Sequence, residues 1–454
     1  MKVELASIRH CLDGAVPAAI ATCSADGVPN VSYVSEVHYV DRNHVALSYQ
    51  FFNKTRRNIL ANGVAQSVVV DPHTGTQYRL ELHYLRTETS GPVFESMRVK
   101  LAGIAAHTGM TGVFRLLGSD IYEVAGIEPA DGLSRPPAAT AFGLLPQVRG
   151  VSERLVGCAD LETLIDALLE GLQQDLSIGN AMVFLHDDSE ENFYLIGSVG
   201  YARSGIGSEI PIGYGIVGIC GAERAPIRIT HKAEEFRYSD AIRLQLAQTG
   251  RCPDLETAIP LPGLEAPGSQ LAVPVIAAGR LLGVLYVESE QDGAFGYDSE
   301  DTLVTLANQF ASSVYLLHRQ HTPVPAAGSA GGVPQMKKSP LRIRCVRENS
   351  SIFIDGEYLI KGVAGAIFWK LVRDYSESGR TEFSNRELRT DPEIRLPEFS
   401  ENLEARLVLL KRRLREHSRD IAIVPVARGK FRLDVVRPLR LEAVESPRRS
   451  RRTN

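Results

Sequence analysis

Eight residues near the C-terminal end have side chains of the types that can grip nucleic acid. Asn402, Arg406 and Arg413 can reach base edges, since Asn matches the adenine edge and Arg the guanine edge in the major groove. Lys411, Arg412, Arg428, Lys430 and Arg432 suit phosphates, which position a protein without reading sequence. Leu403, Leu407, Leu410 and Leu414 follow one another at four, three and four residues. At 100° per residue they fill about a 60° arc of a helix. Asn402, Arg406 and Arg413 then share one flank, with Lys411, Arg412 and Arg415 on other faces. Charge agrees with this reading. From Gln335 onward there are 27 Lys and Arg against 17 Asp and Glu, although the whole chain is at −4. A basic end on an acidic body is the footprint of a nucleic-acid-binding module. A solvated basic helix in a protein-interaction domain is the plainer alternative.

A second cluster, Lys54, Thr55 and Arg56, follows Asn53 just before the apolar Ile59-Leu60 pair. A helix start beside cationic and hydroxyl donors is an anion site; a solvated turn containing Lys54, Arg56 and Arg57 is the alternative. His73 and His83 sit near strand ends and could ligate haem, though a strand histidine is more often packed or solvated. Cys220 and Cys252 could be redox thiols, but only Arg251 stands near to lower a thiol pKa, so a buried small residue and a loop residue are the simpler readings. Gly213, Gly215 and Gly218 formally satisfy GxGxxG, yet no βαβ unit surrounds them. The chain contains no triad order, no HExxH and no Walker loop.

These residues must be held by separate modules. The length, 454 residues, suggests about three domains. With 44% hydrophobic and 23% charged residues the composition is globular. The six cysteines form no CxxC, which argues against a zinc knuckle or a disulfide framework. The most apolar stretch, Leu271 to Val287, is interrupted by Arg280, so no bilayer span and no membrane partner are expected and the protein reads as cytoplasmic. Residues 133–149 and 321–339 are rich in Pro, Gly and Ala and read as linkers. They separate pieces at 1–132, 150–320 and 340–440, with a basic tail at 441–454.

The first piece alternates like short strands around an Asp26-Gly27 hairpin, with helices near Lys54 and from Glu95 to His107. "AIATCSADGVPNVSYV", "VALSYQFFNKTRRNILANGVAQSVVVDP" and "GPVFESMRVKLAGIAAHTGMTGVFRLLGSDIYEVAGIEP" together resemble the FMN-binding split barrels related to pyridoxamine-phosphate oxidase. The resemblance implies an antiparallel split β-barrel with flavin phosphate near Lys54, Thr55 and Arg56; some relatives bind haem or a deazaflavin instead. The middle piece opens with an amphipathic helix over Leu161 to Leu172. Its "PIGYGIVGICGAERAPIRIT", "SQLAVPVIAAGRLLGVLYVESE" and "DSEDTLVTLANQFASSVYLLHR" resemble a GAF domain, implying an α/β sandwich with a small-molecule pocket or a dimerisation role. In the third piece, strands with an Asp355-Gly356 turn, helices near 365–375, from Ser384 and from Ser400, and a hairpin over 421–433 precede the tail. Ending "LLKRRLRE…IAIVPVARGKFRL", it resembles the winged helix-turn-helix output domain of OmpR-type regulators, with Lys430-Phe431 where the family has Gly-Tyr.

The expected molecule is therefore a multidomain α+β protein: a homodimeric, one-component transcriptional regulator that senses a small molecule or redox state and binds double-stranded DNA. A flavin- or haem-dependent oxidoreductase is the rival. The 321–339 linker spans roughly 24 Å r.m.s. as a flexible chain, so signalling is expected through dimer geometry or occlusion of the basic helix, not through a rigid rod.

Overall fold

The structure, a computed structural model, describes residues 3–12, 16–34, 37–49, 53–72, 74–107, 116–130, 144–187, 191–230, 259–319, 340–394, 403–427 and 429–444. Three units follow one another.

Residues 18–129 form one curled antiparallel sheet in the order β2-β1-β5-β6-β7-β4-β3. Its strands are β1 (Ala18–Cys23), β2 (Pro29–Val34), β3 (Val37–Tyr39), β4 (His44–Tyr49), β5 (Val64–Val70), β6 (Gln77–Glu88) and β7 (Gly118–Pro129). Strict alternation builds it: Tyr78, Leu80 and Leu82 point inward while Arg79, Glu81 and His83 face out. Register shifts at Glu81/Leu82 and Tyr84/Arg86 bend the long β6–β7 pair, as bulges do. Gly27, at φ +79°, supplies the left-handed position of the β1–β2 turn. Helix α1 (Asn53–Asn62) caps the core through Ile59, and α2 (Pro92–His107) runs outside it.

The second unit starts at Leu145, inside the stretch expected to be linker. It contains α3 (Leu145–Val156), α4 (Leu161–Gln174), α5 (Gly215–Glu223) and α6 (Tyr297–Arg319) around an antiparallel sheet ordered β10-β9-β8-β13-β12-β11. The strands are β8 (Asn180–Asp187), β9 (Asn192–Val199), β10 (Glu209–Pro211), β11 (Ile227–Ile229), β12 (Ser269–Ala277) and β13 (Arg280–Ser289). Asp160 caps α4 by accepting the Thr163 amide at 2.9 Å. Leu164, Leu168, Leu303, Leu306 and Phe310 fill the space between the helices and one sheet face. On the other face Met182, Phe184, Phe193 and Leu195 meet α5. Because β10 and β11 pair antiparallel with their neighbours, the glycines at 213–218 lie outside any βαβ unit.

The third unit has a sheet ordered β16-β15-β14-β20, in which β14 (Leu341–Val346) and β20 (Leu439–Val444) run parallel, with β15 (Ser351–Ile354) and β16 (Glu357–Ile360). Helix α7 (Gly362–Ser378) follows, longer at both ends than expected, then β17 (Glu382–Ser384), α8 (Asn385–Thr390) and α9 (Leu403–His417). A hairpin of β18 (Ile421–Ala427) and β19 (Lys430–Val435) completes a second sheet ordered β17-β19-β18. Ser384 caps α8 as expected, accepting the Glu387 amide. Ser400 lies outside the described residues.

The units pack on one another. Arg98 of α2 makes a two-pronged ion pair with Glu223 of α5 at 3.0 and 2.5 Å. Apolar residues of the second and third units form one continuous core. No helix among the described residues is long and apolar enough to cross a membrane.

Candidate functional site

Helix α9 is where the basic residues meet the rest of the molecule. The Leu403, Leu407, Leu410 and Leu414 stripe packs inward as its spacing requires. Ala405, Val408, Leu409 and Arg412 lie on the opposite side of a 100° wheel, yet they are only 2, 6, 3 and 9% exposed. A free recognition helix would show that side to water. Here α4 and β9 of the middle unit cover it.

The coverage is electrostatic as well as apolar. Arg406 pairs with Asp187 at the end of β8, its guanidinium 4.2 Å above the Tyr194 ring. Burial pushes the Tyr194 phenol up to about 12, with Arg406 opposing and Asp187 adding. Arg412 donates to the Ile196 carbonyl of β9 at 3.0 Å and to Asp166 at 2.6 Å. Glu162, one turn before Asp166 on α4, takes Arg415 at 2.7 Å and Lys411 at 3.8 Å. Arg413 turns back to its own unit, donating to the Leu359 carbonyl at 3.0 Å and to Glu416 at 3.2 Å; burial lowers its pKa. Ser204 donates to Glu416, and Lys361 pairs with Glu209 at 2.8 Å. Asp187, Glu162 and Asp166 thus occupy side chains that suit phosphate oxygens.

Of the eight residues expected to contact DNA, Arg406, Lys411, Arg412 and Arg413 come together here, buried or half-buried rather than presented to solvent. Lys430 and Arg432 stand on the β18–β19 hairpin away from this contact, Lys430 exposed and Arg432 bonded to Asp434 at 2.5 Å. Asn402 and Arg428 lie outside the described residues. Sequence reasoning missed Asp187, Glu162, Asp166 and Gly197. A Cβ at Gly197 would stand 2.8 Å from both the Arg412 guanidinium and Ile165, so glycine is what lets Arg412 reach the β9 backbone. A glycine inside an apolar strand was the one available signal.

The first unit holds the three expected cofactor residues on α1. Thr55 is buried and bonded to Asn30 and Ser32, both at 2.9 Å. Arg56 turns to Thr87 at 3.3 Å and Asp120 at 3.5 Å, and Lys54 is exposed. The cavity between Ile20, Val34, Leu47, Thr55, Arg56 and Tyr122 is about 10 Å³, room for one water. Lys54, Thr55 and Arg56 thus share one helical turn, with Lys54 toward solvent and the other two engaged by neighbouring side chains. His83 projects outward from β6, and His73 lies outside the described residues. Cys220 is fully buried and burial pushes its thiol well up, the opposite of a poised redox thiol. Cys252 lies outside the described residues.

The middle unit carries a second polar cluster that was not expected. Glu288 of β13, 4% exposed, accepts from the Tyr201 hydroxyl at 2.9 Å, the Leu264 amide at 2.8 Å and the Tyr286 hydroxyl at 2.9 Å. Gln270 donates to Tyr286 at 2.5 Å, and the other Gln270 amide atom, Oε1, has no hydrogen-bond partner among the described residues. Burial, then Glu288, pushes both tyrosines up. Three donors on one carboxylate satisfy its buried charge.

Residues 158–314 match the GAF domain family. The GAF domain therefore supplies α4, β8 and β9, the elements that cover α9. Among solved structures, the GAF domain of a phosphoenolpyruvate-protein phosphotransferase from Acinetobacter is 21% identical, covering 39% of this chain and 96% of that one at a TM-score of 0.31. Free methionine-R-sulfoxide reductase from Neisseria meningitidis, solved with its substrate, is 17% identical over 41% of this chain and 96% of that one, TM-score 0.31. An FMN-binding protein from Syntrophomonas wolfei subsp. wolfei is 13% identical over 29% of this chain and 89% of that one, TM-score 0.24. Among curated proteins none matches the chain.

Proposed function

We propose that this protein is a one-component transcriptional regulator whose GAF domain holds the DNA-reading helix of a C-terminal winged helix in check. The observation that carries the proposal is the burial of α9 against α4 and β9, with Arg406, Arg412, Lys411 and Arg415 paired to GAF carboxylates. Further support comes from the order of elements after residue 340, a small sheet, three helices and a hairpin with basic Lys430 and Arg432, and from the excess of cations there. DNA phosphates and GAF carboxylates compete for the same cations, so closed and DNA-bound forms exclude one another. A small molecule in the GAF pocket shifts that balance if it binds the two forms unequally. The Glu288 cluster, in which the Gln270 amide oxygen has no partner among the described residues, is the polar end such a ligand would meet. The split barrel, docked through Arg98 and Glu223, is the second sensory module and the proposed dimerisation unit.

The test is fluorescence anisotropy of labelled duplex DNA from the gene's own upstream region with the full chain. Binding should weaken steeply with salt because released counterions drive it. Lys430→Ala should weaken all duplexes alike, as loss of a phosphate contact does. Absence of binding at low salt, even when Glu162, Asp166 and Asp187 are neutralised together, would remove the proposal. The rival oxidoreductase reading requires a flavin or haem spectrum in the purified protein. A spectrum with neither band, from protein that also binds the upstream duplex, counts for the regulator.

A further inference from the structure

Three ligand-type side chains from two separate segments meet at the edge of the barrel. His10 and Cys11 lie on a 3₁₀ turn, Leu5–Leu12, and Asp71 directly follows β5. His10 Nε2 is 3.5 Å from Cys11 Sγ and 3.4 Å from Asp71 Oδ2, and all three ligand atoms lie within 4.8 Å of one another. In a tetrahedral zinc site, with Zn–N and Zn–O near 2.0–2.2 Å and Zn–S near 2.3 Å, neighbouring ligand atoms stand roughly 3.3–3.6 Å apart. The His10–Asp71 and His10–Cys11 separations fall in that interval.

The surroundings suit a metal. Cys11 and Asp71 are 4% and 8% exposed, whereas the His10 side chain is 44% exposed and gives an ion a route from solvent. Thr74 donates its hydroxyl to Asp71 Oδ2 at 2.7 Å and its amide to Oδ1 at 3.3 Å, fixing the carboxylate as outer partners of metal ligands do. The neighbouring cation is drawn away: Arg9 pairs with Asp301 and lies 3.7 Å over Tyr297 and 4.7 Å from Tyr39. Thiolate, imidazole and carboxylate together favour zinc over magnesium or calcium.

We propose that His10, Cys11 and Asp71 form a mononuclear zinc site that clips the N-terminal turn to the end of β5. His10 binds through Nε2, Cys11 binds as thiolate after releasing its proton to solvent, and water fills the fourth position. The test uses the full chain stripped with chelator, then titrated with zinc against a chromophoric competitor and, separately, with cobalt(II). One tight equivalent is expected, and the cobalt form should show tetrahedral visible bands with a thiolate-to-cobalt charge-transfer band. Cys11→Ser should abolish the charge-transfer band, and His10→Gln and Asp71→Asn should each weaken zinc at least about tenfold. His10 sits on the rim, so His10→Gln decides the matter if Cys11→Ser does not fold. No tight equivalent, a charge-transfer band that survives Cys11→Ser, or unchanged zinc affinity in His10→Gln would each overturn the site.

Discussion

At the scale of single residues, the contact between Arg406 and Asp187 matters most, because both side chains are about nine-tenths buried. Breaking a buried pair from one side leaves an uncompensated charge and costs about 3–5 kcal/mol. Asp187→Ala should therefore lower the thermal midpoint, and it should free α9, detected as faster hydrogen exchange over 403–417. Exchange unchanged from wild type would mean that Asp187 does not hold the helix. Gly197→Ala tests the neighbouring Arg412 contact sterically, since its Cβ would meet the Arg412 guanidinium and overpacking costs roughly 1–3 kcal/mol. His417 gives a pH signature. Burial, then Arg413, lowers its pKa against the pull of Glu357 and Glu416. An unfolded His417 takes up its proton near 6.5 while the folded one resists, so the stability it contributes is intact above that pH. That stability is lost as pH falls through the lower folded value. In urea melts between pH 7 and pH 5, His417→Gln should be less acid-sensitive than wild type; parallel loss in both would rule this out. None of these partners was visible in sequence, because each pairs residues more than 50 positions apart or faces a side chain whose direction only packing fixes.

At the scale of elements, sequence periodicity was sufficient wherever a face was strictly apolar. The alternation of β6, the α4 leucines, the Asp355-Gly356 turn and the Ser384 cap all follow from local chemistry. Asp160→Ala should cost about 1 kcal/mol by removing the α4 cap, read as a shift in the urea midpoint at unchanged slope. The leucine stripe of α9 was legible too. Its opposite face was not, because Ala405, Val408 and Leu409 among cations look solvated until a neighbouring unit covers them. The same limit applies to Lys54, Thr55 and Arg56: residue type suggests an anion site, while the partners Asn30, Ser32 and Asp120 that direct the hydroxyl and guanidinium are not visible in spacing. The outer face of β2 carries an opposite signal, with Val31 and Tyr33 67% and 78% exposed. Exposed apolar side chains side by side on a strand suit a second copy of the chain. Tyr33→Glu should convert a dimer to a monomer in sedimentation equilibrium, and an unchanged mass would place any dimer contact elsewhere.

At the scale of the whole molecule, charge is separated along the chain and then brought back together in space. The cationic end pairs with part of the acidic body through Glu162, Asp166 and Asp187, with a continuous apolar core behind them. Composition displayed the separation; only the fold displays the reunion. The measurement that bears most directly on this account compares duplex DNA binding by the full wild-type chain and by the combined Glu162→Gln, Asp166→Asn and Asp187→Asn variant, at matched salt. If GAF carboxylates mask the reading helix, the variant binds at least about tenfold more tightly, a difference of about 1.4 kcal/mol. Equal or weaker binding by a folded variant would contradict it.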